Sequence, residues 1–367
     1  MNYYYRTVSL AVVSMSALFL GGCTISFEGT DSAQSRTDGG VYKSATGGST
    51  WQQSAAIATV SGQPVFFNTE SILSLAIDPQ DHEAIYAGTA GGGLLYSYDA
   101  GESWSIARSL GRRRVQAVAV NPLDKCSLVV ASENKIYNTT DCARTWEQAY
   151  FDNDTSIMIT SLAPSQSHEN VVLAGTSRGE VMRSSDKGAS WTVLKRFDRA
   201  PQRDNNAVIA LVVSHTNPQL VWAGTRRGGV YRSADGGTSW QSFYEEFVEL
   251  SGTDANRIFD LVLGQSDGRT VIAATNAGLL RSLDGGEHWQ VMDLIPPADS
   301  ISVNVLAIFA TNSKRIYYAT NTSFGWTEDG GTTWSSKKLP STRRGIAVEV
   351  DPTDPLVVYL GVQEIKK

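Results

Sequence analysis

The chain has 367 residues, with 31 Lys or Arg against 37 Asp or Glu, so its formal net charge at pH 7 is −6. This acidic balance gives no indication of nucleic-acid binding, and we expect no partner of that class. The length exceeds that of one ordinary domain, a guideline that does not apply to chains built from internal repeats.

The first 22 residues have the pattern of an export signal. Arg6 is the only charged side chain before an apolar run from Val8 to Leu20, which is long enough for a signal-peptide core and short for a membrane-spanning helix. The run ends at Leu20-Gly21-Gly22-Cys23, which resembles the bacterial lipobox, whose cysteine is acylated. An ordinary secretory signal with an incidental cysteine is the alternative. We expect residues 1–22 to be a lipoprotein signal peptide and Cys23 to be lipidated.

A polar segment over residues 23–37 is predicted to be a flexible tether. Thr24 rather than aspartate follows the cysteine, which favours the outer membrane in a bacterium that has one. The expected location is therefore the bacterial cell envelope, on the extracytoplasmic side of a membrane that the lipid at Cys23 contacts.

Seven tryptophans then recur at separations of 42 to 53 residues, the period of four-stranded propeller blades. Each follows a segment of the form Ser-x-Asp-x-Gly-x-x-Trp, although Thr46 stands in place of the first aspartate, Ala143 in place of one glycine and Thr327 in place of one serine. The aspartates and tryptophans of these segments are Asp99, Asp141, Asp186, Asp235, Asp284, Asp329, Trp51, Trp104, Trp146, Trp191, Trp240, Trp289 and Trp334.

The chemistry of this motif is structural. An aspartate in a tight turn accepts hydrogen bonds from backbone amides one or two residues further on. Glycine supplies the left-handed backbone, and the tryptophan is expected to bury its ring between neighbouring hairpins. The motif lacks the alternating oxygen ligands and the bidentate glutamate of a calcium loop, so no metal ion is expected.

Other apolar segments keep a fixed phase with the tryptophans and predict four strands in each repeat. The chain begins with strands three and four alone, around Val41 to Gln53, and ends with strands one and two alone, over Ile346 to Gly361. Together they complete a seventh blade and leave no open sheet edge. The predicted fold class is all-β: a seven-bladed β-propeller of four-stranded antiparallel blades over residues 38–362, followed by a tail over 363–367.

The turns resemble the Asp-box, or BNR, repeat of sialidases, sortilin-type domains and two-propeller xyloglucanases. The form Gly-Val-Tyr-Arg-Ser-x-Asp-Gly-Gly-x-Ser-Trp, seen over residues 229–240, is most similar to the single-propeller group that includes the photosystem II assembly and stability factors. The resemblance covers roughly residues 38–362. It is specific for the fold and only weakly specific for function.

The predicted register separates the connections into two rims. The turn face holds the connections from strand one to two and from three to four, and the loop face holds those from strand two to three and from one blade to the next. Cys126 and Cys142 both reach the turn face on neighbouring strands, which predicts a disulfide rather than two free thiols. The bridge would contribute about 3 kcal/mol.

The loop face collects arginines, which suit pairing with carboxylates and phosphates. They are Arg112, Arg113, Arg114, Arg178, Arg199, Arg203, Arg226, Arg227, Arg257, Arg343 and Arg344. The alternative is that loops are simply polar, and nearby acids dilute the charge. The photosystem II assembly factors are similar in carrying an arginine-rich face for partner proteins. We therefore expect a noncatalytic scaffold that binds a protein or another anionic partner there.

The sequence has no catalytic, metal or cofactor signature. For this reason an enzyme ranks second, behind the scaffold. The alternative function is a carbohydrate-binding or glycoside-hydrolase-like propeller that acts on envelope or extracellular glycans. Its candidate carboxylates are Asp152, Asp154, Glu245, Glu246 and Asp254. Its candidate sugar-stacking aromatics are Phe66, Phe67, Phe324 and Trp326. We predict no catalytic residue and no cofactor.

Overall fold

The structure is a computed structural model that describes residues 37–60, 62–197, 206–294 and 302–365. The predicted signal peptide, the lipidation site at Cys23 and the tether up to residue 36 lie outside the described residues, as do Arg199 and Arg203. Residues 36–367 form one compact unit. No described helix is long and apolar enough to cross a bilayer.

Thirty strands, one α-helix and one 3₁₀ turn make up the described chain. In chain order they are β1 (Gly40–Ser44), β2 (Gln52–Ser54), β3 (Ala56–Ile57), β4 (Val65–Phe66), β5 (Ile72–Asp78), β6 (Asp81–Thr89), β7 (Leu94–Ser97), β8 (Ser105–Ile106), β9 (Ala117–Val120), β10 (Leu128–Ser132), β11 (Lys135–Thr139), β12 (Glu147–Phe151), β13 (Ile159–Pro164), β14 (Val172–Thr176), β15 (Glu180–Ser184), β16 (Thr192–Arg196), β17 (Val208–Val213), β18 (Val221–Thr225), β19 (Val230–Ser233), β20 (Gln241–Ser242), α1 (Tyr244–Ser251), the 3₁₀ turn (Thr253–Asn256), β21 (Ile258–Leu263), β22 (Val271–Thr275), β23 (Gly278–Ser282), β24 (Gln290–Val291), β25 (Val305–Phe309), β26 (Asn312–Ala319), β27 (Ser323–Thr327), β28 (Ser335–Lys338), β29 (Arg344–Val350) and β30 (Val358–Gln363).

Seven four-stranded antiparallel sheets form the blades of a β-propeller, which confirms the predicted fold class. Blades 1 to 6 each use four consecutive strands, starting with β5, β9, β13, β17, β21 and β25. Blade 7 has the order β29-β30-β1-β2, with Tyr42 opposite Leu360. The ring is therefore closed by the N-terminal strands pairing with the C-terminal ones, as predicted.

Within a blade, burial changes from strand to strand in step with the sequence. Second strands such as β14 and β22 are buried at all five positions, and they read as continuous apolar or small residues. Fourth strands lie at the outside of the ring, and β28 (Ser-Ser-Lys-Lys) is exposed throughout. The first strand faces the central channel and the fourth faces bulk solvent.

Seven apolar clusters make up the core, and each joins two consecutive blades. Every cluster includes one motif tryptophan, buried or packed against it. Trp289 of blade 5, for example, lies against Trp222 and Phe243 of blade 4, with ring centroids 6.1 and 5.8 Å away. The tryptophans thus contribute buried area at all seven junctions between blades.

Two insertions between blades were not predicted. Helix α1 lies in the connection between blades 4 and 5, and its Phe247 buries its ring against Trp289 at a centroid distance of 4.9 Å. Two glutamates occupy the first turn of the helix, where negative charge is favourable. Strands β3 and β4 form a separate two-stranded hairpin between blades 7 and 1. Both insertions occur where one blade passes to the next, a connection that lies on the loop face.

Candidate functional site

The aspartate turns of the turn face are saturated by their own hydrogen bonds. In blade 4, Asp235 accepts the amide of Ser239 at 2.8 Å on Oδ1 and the hydroxyl of Ser239 at 2.6 Å on Oδ2. Ser233 donates to Asp235 at 2.8 Å and accepts the amide of Gly237 at 2.8 Å. The expectation that the aspartate accepts from amides one or two residues further on is wrong. Asp235 accepts from the amide four residues on, and also from that of Thr238, three residues on, because its carboxylate spans the whole turn.

The same arrangement recurs in the other blades. The aspartates whose Oδ1 accepts the amide four residues on are Asp99, Asp141, Asp186, Asp284 and Asp329. In blade 4 the hydrogen bonds to Asp235 hold the pKa of its carboxyl down to about 2, and the side-chain bond from Ser239 contributes most. In the described part of the chain no group of three or more His, Cys, Asp or Glu side chains is arranged to hold a metal ion.

Two successive residues in each turn have a left-handed backbone, and blade 2 lacks glycine at both positions. Gly236 and Gly237 have φ values of 73° and 99°, whereas the equivalent Cys142 and Ala143 have 59° and 64°. A non-glycine residue is disfavoured there by its Cβ. The sulfurs of Cys126 and Cys142 lie within bonding distance, and the amide of Cys142 donates to the carbonyl of Cys126 at 3.1 Å. The cross-link therefore holds the turn with the strained backbone.

The loop face carries all nine described arginines named above, but their environments differ. Four are exposed, and none of these four pairs with a carboxylate of the described chain. They are Arg112, Arg226, Arg227 and Arg257. They lie in the connections from blade 1 to 2, within blade 4, and from blade 4 to 5. We call these four the free loop-face arginines because none pairs with a described carboxylate, although the guanidinium of Arg257 lies 6.0 Å from the ring centroid of Phe259.

Arg113 and Arg114, which follow Arg112 in the chain, are half-buried. The guanidinium of Arg113 lies 4.6 Å from the ring centroid of Tyr137, a cation–π contact that fixes its plane. The Nε atoms of both residues are buried and have no hydrogen-bond partner among the described residues. Both residues add positive charge to the loop face, although their buried Nε atoms are closed to an incoming acceptor.

Three arginines are instead engaged inside the protein. Arg178 donates to both oxygens of Asp152, at 2.9 and 3.0 Å. Arg343 is buried, pairs with Asp38 at 3.3 Å and donates to the carbonyl of Thr69 at 3.1 Å. Arg344 bonds the side-chain amide of Gln363. These three therefore contribute to internal contacts of the fold.

The carboxylates and aromatics of the glycan hypothesis are only partly available. Glu246 accepts the amide of Trp289 at 3.2 Å, Asp154 accepts that of Ser156 at 3.0 Å, and the side chain of Asp254 lies outside the described residues. The expectation that Phe67 and Phe324 offer stacking surfaces is wrong, because both are buried in the clusters between blades. Trp326 packs against the latter cluster, and Phe66 is exposed.

Two carboxyls that the sequence reasoning missed lie in the central channel, which has a volume of about 1010 Å³ and is lined mainly by the first strands. Asp260 of β21 accepts the amides of Leu261 and Leu306 at 2.8 and 2.9 Å, and so joins blades 5 and 6. Glu349 of β29 faces the same channel. An acid within an otherwise apolar first strand was the available signal.

Burial perturbs both channel carboxyls. Desolvation raises the pKa of Asp260 to about 6, against the two amide hydrogen bonds that lower it. Desolvation, with the charge of Asp260 added, raises the pKa of Glu349 to about 8. Both side chains keep partial exposure toward the channel. Glu349 therefore holds its proton to a higher pH than Asp260 does.

Fold and site together define a seven-bladed β-propeller with a closed ring, an arginine-bearing loop face and a carboxyl-bearing channel. No protein-family model and no curated protein matches the chain. Among solved structures, a GH74 enzyme of Niastella koreensis is similar at 16% identity and a TM-score of 0.63, over 80% of this chain and 51% of that one. The chain thus spans about half the length of that enzyme.

Two YCF48 structures are matched over nearly their whole length. One, described as YCF48 bound to D1 peptide, has 17% identity and a TM-score of 0.58 over 80% of this chain and 94% of that one. The other, YCF48 from Cyanidioschyzon merolae, has 14% identity and a TM-score of 0.58 over 80% and 95%. At these identities the likeness shows the propeller fold.

Proposed function

We propose that this chain is a noncatalytic, lipid-anchored protein of the bacterial cell envelope that binds an acidic segment of a partner protein through its loop face. The observation that carries the proposal is the set of free loop-face arginines, which are exposed and pair with no carboxylate among the described residues, in a chain of net charge −6. The half-buried Arg113 and Arg114 add positive charge at the same rim.

A similar fold with a peptide ligand supports this function. The match to the YCF48 structure described as bound to D1 peptide covers 94% of that chain. One propeller therefore suffices for peptide binding in that protein. The same mode here needs no second domain, and the arginines define acidic side chains or a C-terminal carboxylate as the chemistry that is recognised.

The test reverses charge at the loop face and compares it with a matched reversal elsewhere. The variant Arg112→Glu/Arg226→Glu/Arg227→Glu is compared with Lys195→Glu/Lys337→Glu/Lys338→Glu, which changes net charge equally on exposed fourth strands. Binding of fluorescent acidic peptides is followed by anisotropy, together with cross-linking of envelope proteins. We expect the loop-face variant to bind at least about tenfold more weakly, because charge pairs are lost and repulsion is added. Equal losses in both variants would contradict the proposal.

A glycoside hydrolase is the second candidate, favoured by the channel carboxyls and by the similar GH74 fold. A general acid needs a raised pKa, and hydrolysis needs a second carboxyl at a suitable separation. Glucan and peptidoglycan fragments are incubated with the parent protein, Asp260→Asn and Glu349→Gln. Hydrolysis that is lost in both variants while their melting temperatures hold would establish the enzyme. An absence of hydrolysis, or hydrolysis unchanged in both variants, would remove it.

A further inference from the structure

The β3–β4 hairpin exposes an apolar surface outside the seven blades. Val60, Val65 and Phe66 are exposed by 109%, 57% and 55% of their area, and they lie within seven positions of one another. We call these three residues the hairpin patch. Val60 lies in the connection between the two strands, whereas Val65 and Phe66 are successive residues of β4 and so point to opposite faces of the hairpin. Isolated exposed apolar residues are ordinary, whereas three within one short insertion indicate a contact surface.

The base of the hairpin is fixed to the body of the propeller. Phe67 is buried, its ring centroid lies 5.6 Å from that of Trp104, and its amide donates to the carbonyl of Ala55 at 3.0 Å. The amide of Trp104 donates to the carbonyl of Ala56 at 2.8 Å. Strand β3 is thus fastened along Trp104, and Ile57 packs against the cluster between blades 7 and 1, whereas Val65 and Phe66 of the outer strand β4 remain exposed.

The surrounding sequence carries no charge. No Asp, Glu, Lys or Arg occurs over residues 44–69, a run of 26 residues in a chain of which 19% is charged. A protein partner selected through charge would find nothing to pair with in this segment. An uncharged hairpin with exposed apolar side chains, flanked by Gln, Ser, Thr and Asn, suits the boundary between lipid headgroups and acyl chains.

The chain enters the propeller beside this hairpin. The amide of Gly39 donates to the carbonyl of Asn68 at 2.7 Å, and Arg343 links Asp38 to the carbonyl of Thr69. From Cys23 to residue 37 the backbone spans at most about 50 Å. A lipid at Cys23 would therefore keep the hairpin close to the bilayer and raise its effective concentration there.

We propose that the hairpin patch inserts into the surface of a phospholipid bilayer and forms a second membrane contact beside the predicted lipid anchor. The argument from proximity rests on the proposed anchoring at Cys23, whereas the exposed area and the absence of charge do not. A single acyl contact leaves a protein free to rotate, and a second contact sets which rim faces the membrane.

The test uses the unlipidated compact unit, residues 36–367, which contains all four strands of every blade. Partition into vesicles of phosphatidylcholine alone, and of phosphatidylcholine with phosphatidylglycerol, is measured by flotation at low salt and at 0.5 M NaCl (about 0.5 M suffices to screen surface charge). The variant Val60→Ser/Val65→Ser/Phe66→Ser is compared with Val193→Ser/Leu283→Ser/Leu356→Ser, whose side chains are exposed by 50%, 55% and 43%. A single variant, Phe66→Trp, reports insertion by its fluorescence.

We expect binding to neutral vesicles that survives high salt, a partition coefficient about tenfold or more lower in the hairpin variant, and no change in the control. The emission of Phe66→Trp should shift to the blue on adding vesicles. No binding to neutral vesicles, equal binding of both triple variants, or unchanged emission would each overturn the proposal. So would binding that needs phosphatidylglycerol and disappears in salt, which would assign the contact to the arginines.

A concentration-dependent dimer that the hairpin variant abolishes, without vesicle binding, would assign the patch to a second copy of the chain and overturn the lipid contact. The outcome is separable from that of the proposed function, because the vesicles contain no acidic peptide. Peptide anisotropy should be the same for the hairpin variant and its parent. Mass spectrometry of the protein from cells tests lipidation at Cys23 independently of the hairpin.

Discussion

Carboxyl groups in this protein occur in two environments that shift their pKa in opposite directions. The turn aspartates lie at the surface, and Asp235 has its pKa held to about 2 by hydrogen bonds within its own turn. Asp260 and Glu349 lie in the channel, where desolvation raises the pKa to about 6 and about 8. The first group stabilises a local backbone, and the second group keeps its protons to a higher pH than a surface carboxyl does.

The substitution Glu349→Gln should alter the pH dependence of stability. The pKa of Glu349 in the folded protein, about 8, exceeds its ordinary value of 4.5, so the folded state holds the proton more tightly. Its contribution to stability is therefore complete below about pH 4.5 and is lost as the pH rises toward 8. Thermal unfolding from pH 4.5 to 9 should show the variant gaining on its parent across that range.

The double change with Asp260→Asn provides the control for this titration. Removing the neighbouring charge lowers the pKa of Glu349 in the folded protein. The stability difference between Asp260→Asn and Asp260→Asn/Glu349→Gln should therefore stop changing at a lower pH. Stability curves for Glu349→Gln and its parent that run parallel from pH 4.5 to 9 would show that Glu349 ionises normally in the folded state.

Turns and strands follow the repeat closely at the scale of single elements, and the insertions do not. The blades could be predicted because alternating apolar residues and tryptophan recur in phase seven times, with an Asp turn in six of the seven. Helix α1 has eight residues and occurs once, so no second copy reveals it. The same holds for the β3–β4 hairpin. The sequence identified the aspartates, serines and glycines of the turns, but it did not identify which backbone amide donates to the aspartate. That amide depends on how far the carboxylate reaches across the turn, which residue spacing alone does not give.

Glycine at the turn serves two separate purposes that neighbouring substitutions distinguish. Gly285 and Gly286 have φ values of 76° and 93°. A Cβ on Gly285 would meet nothing, whereas one on Gly286 would overlap the ring of Trp222. We expect Gly285→Ala to cost about 1 kcal/mol from backbone strain and Gly286→Ala about 2 kcal/mol more from overpacking. Urea unfolding measures both, and equal losses would show that the ring of Trp222 yields.

Blade 2 should depend on its disulfide. Replacing both cysteines, as Cys126→Ser/Cys142→Ser, should lower the free energy of unfolding by about 3 kcal/mol, since the bridge closes a loop with a sequence separation of 16 residues. The variant Cys126→Ser/Cys142→Gly should recover about 1 kcal/mol, because glycine accepts the φ of 59° at that position. Calorimetry with and without reductant checks both. A parent protein unaffected by reductant would contradict the expectation.

Contacts that join distant parts of the whole molecule were the least accessible to sequence reasoning. The topology placed the arginines on the correct rim, but which of them are free depends on partners far away in the chain. Arg343 pairs with Asp38 over a separation of 305 residues. No spacing rule links these two positions, so Arg343 was assigned to partner binding although it is buried within the closure. The channel carboxyls were missed because lumen-facing and cluster-facing positions alternate along the same strand.

Arg343 is expected to secure the ring at its closure. Arg343→Ala should lower the free energy of unfolding by about 3 kcal/mol, because Asp38 and two backbone carbonyls lose their partner. The neighbouring Arg344→Ala removes contacts to Gln363 alone and should cost about 1 kcal/mol. Chemical denaturation compares the two variants. Equal losses would mean that the closure does not depend on the buried guanidinium.

Blade 7 also imposes an order on biosynthesis. Its inner pair, β29 and β30, is the last to be synthesised, while its outer pair, β1 and β2, is the first. The first strands must therefore wait for more than 300 residues of chain before their partners exist. Any interrupted product carries unpaired edges at both ends of an open arc, a form that is prone to aggregate and is recognisable to proteases. The closure thus acts as a built-in check that only a chain carrying both pairs of strands passes.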